Sequence, residues 1–251
     1  TMREIISLNQ GWAFTKAIGE IPVAMPESWE AVNVPHCWNA VDGQDGGNDY
    51  YRGTCHYAKY LQKQAFPAAD RYYLEIQGAN SSADVYIDGK KLAHHDGGYS
   101  TWRVDITESM GENSLLVIAV DNSANEEVYP QMADFTFYGG LYRNVNLICV
   151  SESHFDLDYY GAPGIKVTPA INGANADVEV EVFLTNVKAG QTVKYTVYDK
   201  EEKIIASVET ADTKASITIE NVHLWHGRKD PYLYCCEAEL IENGKVVDNV
   251  C

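Results

Sequence analysis

A two-residue turn sets the first constraint on this chain. Asp84-Val-Tyr-Ile87 alternates polar and β-forming residues, Asp88-Gly89 follows, and residues 90–93 resume an extended pattern. Aspartate and glycine accept the positive φ angles of a tight hairpin turn, so the spacing predicts two antiparallel strands joined there. Gly97-Gly98 then bends the chain. Tyr99 and Trp102 offer an aromatic pair to pack on a sheet, and Val104 and Ile106 mark a further short strand.

The same texture extends in both directions. Trp12 and Phe14 share one face of a strand and are core candidates. Residues 71–77 alternate, with Tyr72, Leu74 and Ile76 on one face and Tyr73, Glu75 and Gln77 on the other. Residues 115–120, Leu-Leu-Val-Ile-Ala-Val, are apolar on both faces, as expected of a central strand covered on both sides. Beyond Asp156 short alternating runs recur at 165–168, 176–184, 193–198, 204–208 and 215–219. Residues 232–241 and 245–250 form a hairpin across Glu242-Asn243-Gly244. About seven strands in about a hundred residues is the immunoglobulin-type pattern.

The balance of charge excludes some partners. A net charge of −17 argues against a nucleic-acid or anionic-membrane surface. No apolar run approaches membrane-spanning length. Thr1 stands before Met2, which points to an added residue and leaves both a natural leader and the compartment open.

Four segments carry a family resemblance. They are Leu8-Asn-Gln-Gly-Trp-Ala-Phe14, Trp29-Glu-Ala-Val-Asn-Val-Pro-His-Cys-Trp38, Tyr50-Tyr-Arg-Gly-Thr-Cys-His-Tyr57 and Asp134-Phe-Thr-Phe-Tyr-Gly-Gly-Leu-Tyr-Arg-Asn-Val-Asn-Leu147. With the Asp88-Gly89-Lys90 hairpin they resemble the N-terminal jelly roll of glycoside hydrolase family 2, which includes β-galactosidases, β-glucuronidases and β-mannosidases. Leu224-Trp225 followed by Pro231-Tyr-Leu-Tyr234 resembles the family's second domain. The resemblance implies an all-β chain: a galactose-binding-like jelly-roll β-sandwich over residues 1–157, then an immunoglobulin-like β-sandwich over 158–251.

The resemblance also implies where chemistry sits. Family members hydrolyse β-glycosides with retention, using two glutamates roughly 5 Å apart on a (β/α)₈ barrel that follows these two domains. No βαβα alternation occurs in these 251 residues, so no catalytic residue is expected among them. The implied partners are a β-glycoside, the parent's own C-terminal catalytic barrel and, compatibly, further copies in a homo-oligomeric parent. Two other roles stay open: a free-standing carbohydrate-binding module and a scaffold without hydrolase activity. The Thr1-Met2 start and an end within a hairpin favour the fragment reading.

Asp134 matches the family aspartate that reaches sugar hydroxyls, and Asn48 and Asp49 lie in the loop expected at the pocket rim. His36 has no nucleophile in a motif context and reads as a hydrogen-bonded structural histidine. Gly139-Gly140 reads as a tight turn, and Arg143 as a guanidinium bonding backbone carbonyls. Asp42, Asp45 and Asp49 lack a calcium-loop pattern, and His223 and His226 lack a zinc partner set, so neither a metal nor a cofactor is expected. Cys37, Cys55, Cys149, Cys235, Cys236 and Cys251 form no CxxC pair and read as buried free thiols. Cys235 and Cys236, adjacent in a strand, point to opposite faces.

Overall fold

A computed structural model describes residues 2–16, 19–38, 53–97, 100–123, 139–157, 164–199, 201–220 and 235–251. The chain divides into two compact units, Glu4–Cys149 and Val150–Cys251, the second also taking the N-terminal residues up to Arg3. Both are β-sandwiches. Among the described residues the only helical turn is a 3₁₀ turn at Lys63–Ala65.

The first unit is built from β1 (Glu4–Ser7), β2 (Trp12–Thr15), β3 (Glu30–Val32), β4 (Thr54–Gln62), β5 (Arg71–Ile76), β6 (Ser82–Ile87), β7 (Lys90–Asp96), β8 (Trp102–Asp105), β9 (Asn113–Asp121) and β10 (Val145–Val150). A four-stranded sheet runs β1-β10-β5-β8 and a six-stranded sheet runs β3-β2-β4-β9-β6-β7. The larger sheet is antiparallel throughout. Asp88 and Gly89 take φ of 50° and 82°, the hairpin turn that the sequence predicts. Trp12 and Phe14 are buried in the main core with Leu74, Ile76, Ile118 and Leu147.

Strand β9 is buried on both faces. Leu116, Ile118 and Val120 enter the core between the sheets. Leu115 and Val117 point the other way, where with Ala58 they are covered by Ile21, Met25, Trp29 and Tyr86. Residues 21–29 therefore lie as a strap over the outer face, tied by the Met25 N–H donating to the Tyr60 hydroxyl at 3.0 Å.

Strand β5 is buried on both of its faces. Tyr73 and Glu75 are buried along with Tyr72, Leu74 and Ile76. Glu75 can lie there because its carboxylate accepts from Arg103 Nε at 2.9 Å and from Asn146 Nδ2 at 3.0 Å. A buried carboxylate needs such partners.

The second unit adds β11 (His154–Phe155), β12 (Ile165–Asn172), β13 (Asn175–Val182), β14 (Leu184–Thr185), β15 (Thr192–Tyr198), β16 (Ile204–Thr210), β17 (Lys214–Ile219), β18 (Cys235–Glu242) and β19 (Lys245–Val250). A three-stranded sheet, β12-β13-β17, and a four-stranded sheet, β16-β15-β18-β19, make the immunoglobulin-like arrangement. Val178, Val180, Val193, Tyr195, Val197, Ala238 and Leu240 alternate into one core. Asn243 and Gly244, at φ of 51° and 74°, close the β18–β19 hairpin.

One expectation is overturned here. Cys235 and Cys251 are joined by a disulfide, their Cα atoms 6.5 Å apart. Cys235 faces solvent at the start of β18 and Cys251 follows β19 on the paired strand, so the hairpin brings them together. Cys236 does point the opposite way, into the core, where burial pushes its thiol up to about 11. Burial likewise raises Cys149 to about 11.

Arg3 locks this unit from its N-terminal side. Its Nε and Nη2 donate to the two carboxylate oxygens of Asp248, each at 2.8 Å. Nη2 also donates to the Phe155 carbonyl, and the Phe155 N–H donates to Asp248 at 2.7 Å. Asp248 is fully buried. Removing one partner of such a pair leaves an uncompensated charge, whereas replacing both is far milder. Arg3→Ala should therefore cost about 3–5 kcal/mol in urea unfolding of the second unit, and Arg3→Ala/Asp248→Leu less than that. Tyr195 gives the opposite case. Its buried hydroxyl has no hydrogen-bond partner among the described residues. Tyr195→Phe should leave the unfolding midpoint unchanged or raise it, by up to about 1–3 kcal/mol of relieved desolvation.

Candidate functional site

The three sequence-predicted sugar contacts, Asn48, Asp49 and Asp134, lie outside the described residues. What is described is the ground from which their segments depart. Residues 39–52 follow Trp38 and precede Gly53, and residues 124–138 follow Ser123 and precede Gly139.

These anchor points form one hydrogen-bonded row. The Trp38 N–H donates to the Gly139 carbonyl at 3.2 Å. The Asn80 N–H donates to the Gly140 carbonyl at 3.2 Å, and the next residue, Ser81, donates to the Asp121 carbonyl at 2.7 Å. Gly53 N–H then donates to Asn122 Oδ1 at 2.9 Å, with the Asn122 N–H returning to the Gly53 carbonyl at 3.3 Å. Both segments thus start and finish on a single rim of the first unit. The rim is rigid because Asp121 ends β9 and Thr54 begins β4, which pair with each other.

Gly139 and Gly140 serve this rim by the absence of a side chain. A Cβ on Gly139 would stand 2.3 Å from the Trp38 indole, and one on Gly140 would stand 2.5 Å from the Tyr57 hydroxyl and 2.8 Å from the His36 carbonyl. Gly140 also takes φ of +110°, which a side chain disfavours.

Beneath the rim lies an aromatic cluster. Phe14 sits 4.6 Å from His36 and 4.9 Å from Tyr57 between ring centroids, and stacks on Trp38 at 6.3 Å. Tyr57 is fully buried. Its hydroxyl lies 2.6 Å from His36 Nδ1. The His36 N–H donates to the Leu141 carbonyl at 2.7 Å. Burial pushes the Tyr57 phenol far above its ordinary range, so it stays protonated. Burial also lowers the His36 pKa from 6.5, with Glu30 opposing and Lys16 assisting. His36 is the structural histidine the sequence implied. Tyr57, Asn80, Ser81 and Asn122 were not foreseen as its companions. Tyr57 does close one of the four motif segments, which was the available signal. Arg143 is exposed and lies over the Tyr142 ring at 5.9 Å. Among the described residues no group of His, Cys, Asp or Glu is arranged to hold a metal.

A galactose-binding-like jelly roll followed by an immunoglobulin-like sandwich defines the class. The model for the glycosyl hydrolase 2 galactose-binding domain-like region matches residues 49–150, and that for glycosyl hydrolases family 2 matches residues 163–251. The chain belongs to glycoside hydrolase family 2. A β-glucuronidase of Bacteroides fragilis is 31% identical, over 99% of this chain and 37% of its own length. A putative β-glucuronidase of Formosa agariphila is 33% identical, over 97% and 30%. The crystal structure of an FMN-binding β-glucuronidase from Facaelibacterium prausnitzii L2-6 superposes with a TM-score of 0.90 at 41% identity, covering 99% of this chain and 38% of that one. The chain therefore spans between 30% and 38% of the length of these relatives.

The close approach at the rim yields a direct test. Gly139→Ala must displace Trp38, a ring packed on Phe14. Overpacking of this kind costs about 1–3 kcal/mol, and the urea midpoint of the first unit should fall accordingly.

Proposed function

We propose that this chain is the non-catalytic front of a retaining family 2 glycosidase that cleaves β-glucuronides. The observation that carries the reading is the 41% identity and TM-score of 0.90 to a β-glucuronidase across 99% of the chain. In this reading the reacting glutamate pair belongs to a barrel beyond these residues. The present chain braces that barrel and lends it part of the sugar pocket.

Asp134, with Asn48 and Asp49, supplies that part. Their segments leave the same hydrogen-bonded rim, which supports their acting at one place. An ionised carboxylate accepts hydrogen bonds, and sugar hydroxyls donate them. Bonds to a charged acceptor are shorter and stronger than neutral ones. If they tighten as the ring flattens toward the transition state, their loss lowers kcat as well as raising KM.

Two experiments test the reading. The 251-residue chain alone should hydrolyse neither 4-nitrophenyl β-glucuronide nor the β-galactoside above the buffer rate. It should also bind sugar more weakly than about 10 μM by titration calorimetry. Tighter binding would instead favour a free-standing carbohydrate module. In the full-length parent, Asp134→Ala removes one charged hydrogen bond, about 1.5–3 kcal/mol, and kcat/KM should fall roughly ten- to hundred-fold. The melting temperature of the 251-residue chain should hardly move with the same change. Destabilisation with normal kinetics would make Asp134 structural.

A further inference from the structure

We propose that the Cys235–Cys251 disulfide is a thiol-exchangeable lock on the register of β19, and that opening it releases Asp248 from the buried position it shares with Arg3. The inference stands apart from the glycosidase reading.

A bulge in the β18–β19 hairpin creates the need for such a lock. The hairpin leaves its turn with Glu242 opposite Lys245 and Ile241 opposite Val246. The pairing then shifts by one, with Leu240 opposite Asp248, Glu239 opposite Asn249 and Ala238 opposite Val250. Val247 is the extra residue that this shift leaves over. Without the bulge the turn would run on into a second register, Leu240 opposite Val247 and Glu239 opposite Asp248. A slip of one residue moves every side chain to the other face. Asp248 would leave the side where Ala238 and Leu240 enter the core and stand beside Glu239 instead.

Each register has something in its favour. The observed one buries Val250 and gives Asp248 its bonds to Arg3. The second sets a valine, not a carboxylate, against Leu240, and it keeps the hairpin regular. Sheet pairing does not arbitrate, because β19 ends its sheet and is bonded to β18 alone.

The disulfide does arbitrate. One step beyond Ala238–Val250, the observed register sets Cys251 opposite Glu237. Its side chain then shares a face with Cys235, its diagonal neighbour. The Cα atoms are 6.5 Å apart, within bridging range. In the second register Cys251 would stand opposite Cys236, which points into the core, on the face away from Cys235. The bond is therefore compatible with one register only. It pins the strand three residues from Asp248, whose carboxylate holds Arg3 and the Phe155 N–H.

The bond is also within reach of small thiols, since Cys235 and Cys251 are both exposed. A reductant thiolate attacks one sulfur, and the other leaves as a thiolate that takes up a proton. A second reductant thiol then attacks the mixed disulfide. Two electrons and two protons pass to the protein, which gains two cysteine thiols, and the reductant departs as its own disulfide.

The test follows amide hydrogen exchange at Phe155 in the full-length parent, by mass spectrometry, before and after dithiothreitol. This N–H lies on β11 and is held by the Asp248 carboxylate, so it reports the register of β19 rather than fraying at Cys251. Reduction, and Cys251→Ser, should each speed its exchange at least about ten-fold. Deleting Val247 removes the choice, because the regular hairpin then sets Asp248 opposite Leu240. In that variant opening the disulfide should leave Phe155 protected. Peptide mapping of the oxidised protein should find Cys235 bonded to Cys251. Should Cys251→Ser fail to fold, the dithiothreitol arm decides alone. Free thiols at both positions, or a bond that dithiothreitol leaves closed in the folded protein, overturn the proposal. So does Phe155 exchange that ignores the opening, or a Val247 deletion that responds as the wild type does. None of these results bears on the glycosidase reading.

Discussion

Strand β9 presents apolar side chains to both faces of its sheet, and everything around it serves to keep water from both. One face is met by the opposing four-stranded sheet. The other faces outward and would be exposed on a simple sandwich. Residues 21–29 supply the missing cover, laying Ile21, Met25 and Trp29 over Leu115 and Val117. Leu115 and Val117, fully buried beneath it, each gain roughly 1.5–3 kcal/mol, so the strap is held by the same force that forms the core. In its sheet β9 is also paired on both edges, with β4 and β6. Its last residue, Asp121, anchors the row that Asn80, Ser81, Asn122 and Gly53 extend. The burial of one strand is thereby converted into precise placement of a rim.

Much of the architecture was legible in the sequence, because strands and hairpins are local. Asp88-Gly89 and Asn243-Gly244 take the positive φ angles that their residue types favour. The two-sided run at 115–120 became a central strand, and Trp12 and Phe14 entered the core together. What pattern reading missed depends on partners distant in the chain. The need for glycine at position 139 comes from an indole brought in by Trp38, about a hundred residues earlier in the chain. Cys251 looked like a free thiol until the β18–β19 hairpin set it beside Cys235. Glu75 lies buried because Arg103 and Asn146, distant in the chain, donate to its carboxylate together with nearby Gln77.

The candidate site divides in the same way. Asn48, Asp49 and Asp134 come from the family resemblance and lie outside the described residues. The rim between them comes from structure. His36 and Tyr57 each stood in a recognised motif, but nothing in either motif says that they meet. Binding groups tend to ride on loops while scaffolds hold them. Here the scaffold part carries more than apolar packing. It holds His36 by its N–H to the Leu141 carbonyl and by Nδ1 beside the Tyr57 hydroxyl.

Arg3 leads to a different kind of consequence. Its side chain completes the second unit, although the whole first unit intervenes between it and Asp248. During synthesis the guanidinium leaves the ribosome well before its carboxylate partner, with the whole first unit made in between. Closing so long a loop is entropically slow. Until it closes, Asp248 has no cation to accompany it into the interior. The first unit is thus, in effect, an insertion near the N-terminus of the second. Cutting the chain at the apparent boundary near Val150 would excise a sandwich that has left an essential charge behind.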